Sequence, residues 1–368
     1  MHAEKELERA AQVAVRDVLG VKKGEKALII TNPEQGVYAI SLAVYDAIID
    51  AGGLPVIIVQ PYKTQLDFAE DSVLAAIGSV PDIAISLSAE KLGKDTKGLK
   101  APYTAGGTEY NHIFDYLLHG EKKIRSFWSP SITLDMFVQT VPIDYKTLRH
   151  DCGNLRGALN KAKEARVTAP AGTDITVGLA GREANVDDGD FRKPGTGGNL
   201  PAGEVYISPE LGKSRGVIFF DGSMSVMTGD VVMKEPIRAD VEGGFVTKIS
   251  GGEEASLLQH TIEQGERTPG VLANEGKLPR ESVEEYTRNA RNLGELGIGL
   301  NRAARIVGNM LEDEKVYSTC HIAIGSNYDE DAKAMIHLDG LIKSPTIDLT
   351  YANGAKKRVM EGGKLTVR

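Results

Sequence analysis

Leu7, Ala10, Ala11, Ala14, Val15 and Val18 recur at helical spacing over residues 3–19, and Gly20 stops that pattern. Ala27 to Ile30 is a short apolar run of the kind that forms a buried strand. Val37 to Ala51 repeats the helical spacing before Gly52-Gly53, and Leu54 to Val59 is a second apolar run. Strand, helix and strand in that order make a βαβ unit, which predicts a parallel sheet. A helix around Asp71–Ile77 and a third strand over Asp82–Leu87 extend it.

Further along, the spacing predicts a helix over Tyr145–Arg166 and a period-two strand over Asp174–Leu179. Residues 185–203 are dense in Gly, Asp, Asn and Pro, which predicts a long loop. Strands follow at 217–220, 231–233, 237–241 and 245–249, with helices at 253–264 and 281–292. The expected fold is α/β in two domains. An open, mostly parallel N-terminal sheet over 1–165 precedes a β-rich α/β domain over 166–368.

Composition narrows the function. With 43 basic and 51 acidic side chains the net charge is −8, and no basic block marks a nucleic-acid surface. No apolar run reaches the ~18 residues of a membrane span. The charged N-terminus, Met1 to Glu6, lacks the apolar stretch of a signal peptide. The two cysteines, Cys152 and Cys320, make neither a disulfide framework nor a thiolate zinc site. Low cysteine use fits a reducing compartment, so a cytoplasmic location is expected. Thr31 to Gly36, after the first strand, lacks the G-x-G-x-x-G pattern of a dinucleotide site. A metal site here would have to be built from carboxylates and a few of the seven histidines.

Five residues stand out for that chemistry. His337 and Asp339 are two apart, so in a strand they share a face. His321 lies in an apolar strand-like segment, where a buried imidazole needs a metal, a carboxylate or backbone as its partner. Glu295 is a lone acid in the Gly- and Leu-rich run Leu293–Gly299, and a buried carboxylate there calls for a cation. Its alternative is a helix-end acid bonded to backbone amides. Glu204 follows the long loop and opens an apolar segment, where it is either a ligand or an exposed turn acid. Cys320 would face away from His321, as a small apolar residue rather than a nucleophile.

These residues carry a resemblance. Gly198-Asn199-Leu200-Pro201-Ala202-Gly203-Glu204-Val205, Leu293-Gly294-Glu295-Leu296-Gly297, His321 to Gly325 with Tyr328, and His337-Leu338-Asp339 resemble motifs of the thermophilic metallo-aminopeptidases. That family is the aminopeptidase T and aminopeptidase S type of leucyl aminopeptidase. Residues 141–145 and 170–174 extend the likeness. The segment from Tyr328 to His337 departs from it, being shorter and carrying Asp329-Glu330-Asp331. The resemblance implies a two-metal aminopeptidase. Glu204, Glu295, His321, His337 and Asp339 would be ligands of two Zn, Co or Mn ions. Tyr328 would be a ligand or a hydrogen-bond donor to the transition state, and Glu204 would act in catalysis. A homodimer acting on peptides, with no nucleic-acid or membrane partner, is implied as well.

Two alternatives stand beside it. His321, His337 and Asp339 form a 2-His-1-carboxylate set, which suits one Fe(II) and O2 chemistry. A ring-cleaving dioxygenase of dihydroxypyridines resembles the aminopeptidases in fold, and a single iron does not need both Glu204 and Glu295. A non-catalytic metal-binding homologue is the other.

Overall fold

The computed structural model describes residues 2–64 and 67–367. The chain forms two compact units. One comprises Met1–Arg149 with Asp187–Ala202, the other His150–Val186 with Gly203–Arg368. The expected single boundary near 165 therefore becomes three crossings, because the chain leaves the first unit after Arg149, returns to it at Asp187 and leaves it again after Ala202.

In the first unit the expected βαβ pattern produces a parallel sheet. Its strands lie in the order Leu54–Val59, Lys26–Thr31, Ile83–Ser88, Arg125–Pro130 and Gly197–Asn199. Ile83–Ser88 is buried at every position, as parallel strands covered on both faces are. Helix Gln35–Asp50 starts at Glu34, whose carboxylate accepts the Val37 amide. Arg125 opens its strand fully enclosed. It donates to the Leu19 carbonyl and to both carboxylate oxygens of Glu25, so it ties the first helix to the sheet. A cavity of about 420 Å³ opens at the C-terminal strand ends, lined by Ser86, Ser88, His112, Phe114 and Trp128 among others.

The expected loop over 185–203 contains the strands Asn185–Asp187 and Gly197–Asn199. The first is only three residues long, and the glycines of the second conceal any strand periodicity. A Cβ on Gly198 would meet the Phe191 ring at 2.6 Å, and one on Gly197 the Ser126 carbonyl at 3.0 Å.

The second unit is built from antiparallel sheets. One orders Gly229–Val232, Ser223–Val226, His337–Lys343, Thr319–Gly325, Leu293–Gly299 and Glu204–Ile207 side by side. Another has Asp174–Gly178, Ala162–Thr168 and Thr346–Tyr351 in its middle. The expected helix over 145–166 ends at Leu159, and 162–168 is a strand. Ala162 and Ala165 are both buried three residues apart, which mimics helical spacing. The cause is an irregularity in the ladder, where the register with the partner strand shifts between Thr350 and Tyr351. The helix expected at 253–264 extends to Asn274, through Pro269. Among the described residues, no helix is long and apolar enough to cross a membrane.

Candidate metal centre

Leu293–Gly299 and Thr319–Gly325 are adjacent strands, buried at every position. Glu295 is therefore a mid-strand residue rather than the helix-end acid that was its alternative. In the ladder Glu295 faces Ala323, which faces Asp339. Gly297 faces His321, Gly325 faces His337, and Glu204 faces Gly299. Opposed residues share a sheet face, as do residues two apart. Glu204, Glu295, His321, His337 and Asp339 thus all project from one face.

Glycine makes room for this concentration of side chains. A Cβ on Gly297 would overlap the imidazole of His321. One on Gly299 would come within 2.8 Å of the Lys315 carbonyl carbon and closer still to the Val316 carbonyl oxygen.

The side chains gather into two overlapping groups, Glu204–Glu295–His321 and Glu295–His337–Asp339. In each, one ligand atom per residue lies within 4.8 Å of the others. The expected His321–His337–Asp339 set is thus divided between them, and Glu295 is the shared member. His321 Nε2 lies 3.0 Å from Glu295 Oε1 and 3.6 Å from Glu204 Oε2. His337 Nε2 lies 3.4 Å from both Glu295 Oε2 and Asp339 Oδ1.

The two imidazoles differ in their hydrogen bonds. His337 Nδ1 lies 2.8 Å from the Ser326 carbonyl, to which it can only donate. In the neutral ring that leaves the Nε2 lone pair aimed at the carboxylates, the orientation of a metal-ligating histidine. His321 instead engages Glu295 through Nε2, and its buried Nδ1 has no partner. Glu204 Oε2, His337 Nε2 and Asp339 Oδ1 are also buried without hydrogen bonds. Buried polar atoms normally find partners. Orphans concentrated on one carboxylate–imidazole face fit a divalent cation of the Fe, Mn or Zn kind.

The electrostatics agree. Burial pushes His321 down, but its hydrogen bond to Glu295 and the charges of Glu295, Glu204 and Asp339 push it up further, to about 9. Burial pushes Asp339 up, yet the adjacent His337 holds it at about 2. Glu295 is likewise held below its ordinary range, because burial raises it but its hydrogen bond with His321 and the nearby His337 imidazole lower it further. Glu204 goes the other way, raised mainly by burial.

Glu204 has a partner that sequence reading missed. Lys315, with 0% of its surface exposed, places Nζ 2.6 Å from Glu204 Oε1 and 2.6 Å from Glu314 Oε1. Burial pushes Glu314 up to about 8 despite that contact. Lys315 ends the charged run Glu312-Asp313-Glu314-Lys315, and such runs are ordinarily solvated, so no sequence signal marks it. Here Glu312, Asp313 and Lys315 are all buried.

Tyr328 stands at the rim, 56% exposed, with its ring centroid 5.3 Å from that of His337 and 4.9 Å from that of Tyr206. The acids that follow it are tied down. Arg182 pairs with Asp329 at 2.7 Å and with Asp331 at 2.8 Å, and Ser208 donates to Asp329. Cys320 is buried, and burial pushes its thiol far up, in keeping with an inert packing residue.

The family model of NicX, 2,5-dihydroxypyridine 5,6-dioxygenase, matches residues 133–319, just over half of the chain. The chain belongs to this family. The matched stretch includes Glu204, Glu295 and Lys315 and ends two residues before His321. The 2,5-dihydroxypyridine 5,6-dioxygenase of Pseudomonas putida is 28% identical over 101 residues, 27% of this chain and 29% of that protein. The alignment thus spans less than a third of the curated relative.

Two solved structures share the fold along nearly the whole chain. The Pseudomonas putida KT2440 dioxygenase superimposes with a TM-score of 0.72 at 15% identity, covering 99% of this chain and 98% of that one. Wild-type AmpT from Thermus thermophilus, an aminopeptidase T, gives 0.65 at 18% identity, covering 99% of each. The expected likeness to aminopeptidases is therefore one of fold, while the family is that of the dioxygenase.

Proposed function

We propose that the protein is a mononuclear, metal-dependent dioxygenase that opens the ring of a small dihydroxylated N-heteroaromatic of the 2,5-dihydroxypyridine kind. The observation that carries this reading is the difference between the two histidines. His337 presents a free Nε2 beside Glu295 and Asp339 and is 24% exposed at its side chain, whereas His321 is enclosed and bonded to Glu295. Only the first arrangement offers a cation both ligands and access from outside.

On this reading Glu295, His337 and Asp339 hold the ion, and the Ser326 carbonyl fixes the tautomer of His337. His321 donates to Glu295 and orients its carboxylate, so it acts through a ligand instead of being one. Fe(II) held there would supply the one-electron chemistry that O2 activation requires. Tyr328 and Tyr206 give a planar substrate an aromatic wall beside the site. Family membership supports the reaction class.

A two-metal aminopeptidase using Zn, Co or Mn is the second reading. It is favoured by the meeting of Glu204, Glu295, His321, His337 and Asp339 on one sheet face. Parallel assays separate the two. Protein loaded anaerobically with Fe(II) is given 2,5-dihydroxypyridine in an oxygen electrode, and Zn- or Co-loaded protein is given aminoacyl-anilides. Oxygen uptake matched by loss of the substrate's ring absorbance is expected. Anilide release without oxygen uptake would overturn the dioxygenase.

A further inference from the structure

We propose that the Lys315 ammonium is a built-in substitute for a second divalent cation, which holds Glu204 as its counter-ion and limits the site to one metal. The inference rests on the reading of Glu295, His337 and Asp339 as the metal-holding set.

Three observations support it. Lys315 is completely buried, and its ammonium lies 2.6 Å from each of two carboxylates, one of them Glu204. Few lysines are buried to this degree, and one that is must be paired. The approach is also built into the backbone. Gly299, opposite Glu204 in the ladder, is the position where a Cβ would collide with the 315–316 backbone. The Asn301 amide further donates to the Lys315 carbonyl at 2.8 Å, which holds that segment beside the strand. Finally, the only carboxylate oxygen of Glu204 that Lys315 leaves open faces His321 at 3.6 Å. A second ion between them would sit beside a fixed ammonium, and like charges in an enclosed site repel strongly.

A charge count leads to the same place. Glu204, Glu295, Glu314 and Asp339 offer four negative charges when ionised. One divalent ion and Lys315 offset three of them, leaving the last to the imidazoles or to a proton.

Metal stoichiometry tests the idea without any assay of activity. Wild type, Lys315→Met and Lys315→Arg are stripped, dialysed against excess Zn(II) and then against metal-free buffer, and counted by elemental mass spectrometry. The expected result is one Zn per chain for wild type and Lys315→Arg, and close to two for Lys315→Met. Two per chain in wild type, or one in a folded Lys315→Met, overturns the proposal. Should Lys315→Met fail to fold, Glu204→Gln decides. It keeps one Zn with affinity within a few-fold of wild type if Glu204 is only a counter-ion, and loses it by 100-fold or more if Glu204 is a ligand. A wild-type chain with one metal and no oxygen uptake removes the dioxygenase reading and leaves this one standing. A chain that takes up no metal removes both.

Discussion

His337 and Asp339 were legible because period two is a property of any strand, and His321 because an imidazole in an apolar run demands a partner. What their spacing could not reveal was how the ligands divide. That division depends on register across four strands and on which nitrogen of each ring meets a hydrogen-bond partner. Lys315 was illegible for the opposite reason, since its neighbours are charges and its burial is imposed by tertiary packing. The glycines facing the site are as specific as the ligands. Gly297→Ala should force the His321 ring out of its seat, because the new Cβ would overlap it. A destabilisation of about 1–3 kcal/mol, the usual cost of overpacking, is expected in urea unfolding. The variant should also bind metal more weakly by isothermal titration, because Glu295 loses its orienting donor. Unchanged stability and affinity would mean that the His321 position is soft.

Among elements, the parallel strands of the first unit were readable because both faces are apolar and the runs are short and continuous. The errors fell where a ladder irregularity or glycine hid the period, as at 162–168 and 197–199. The short segment 326–336 showed its three acids in sequence but not what holds them, and Arg182 grips two of them next to Tyr328. Arg182 is only 12% exposed while Asp331 is 45% exposed, so the pairs are partly screened and of modest strength. Arg182→Ala should therefore cost little global stability and act locally. Amide hydrogen exchange over 326–336 is expected to speed up while that over Leu293–Gly299 stays slow. Equal exchange in variant and wild type would show that the Arg182 pairs do not order this segment.

At the scale of the whole molecule, the α/β class and the two-part organisation followed from the change of period along the chain. The return of 187–202 to the first unit did not, because nothing local distinguishes a glycine-rich edge strand from a loop. Acid response should report on the first unit's buried ties. Burial raises Glu25, but Arg125 and the Lys22 amide lower it further. Burial also raises Asp95, but the amides of Gly98, Ile113 and Lys97 together with Tyr103 bring it below its ordinary value. A carboxylate depressed on folding contributes fully above its unfolded value of about 4 and loses that contribution as pH falls through the folded value. Thermal melts should thus be flat in this respect from pH 7 to 5 and decline below about pH 4. Glu25→Gln should start lower at pH 7 and decline less steeply. A variant with the wild-type acid slope would remove Glu25 from the explanation.

The central claim is that one cation sits on Glu295, His337 and Asp339 while Lys315 takes the place of a second. An anomalous-difference map of iron-loaded crystals, collected above and below the iron edge, tests it most directly. The account predicts one peak per chain, within coordination distance of those three side chains, and no peak between Glu204 and His321. Two peaks a few ångströms apart, with Glu204 turned from Lys315 to ligate one of them, would contradict it.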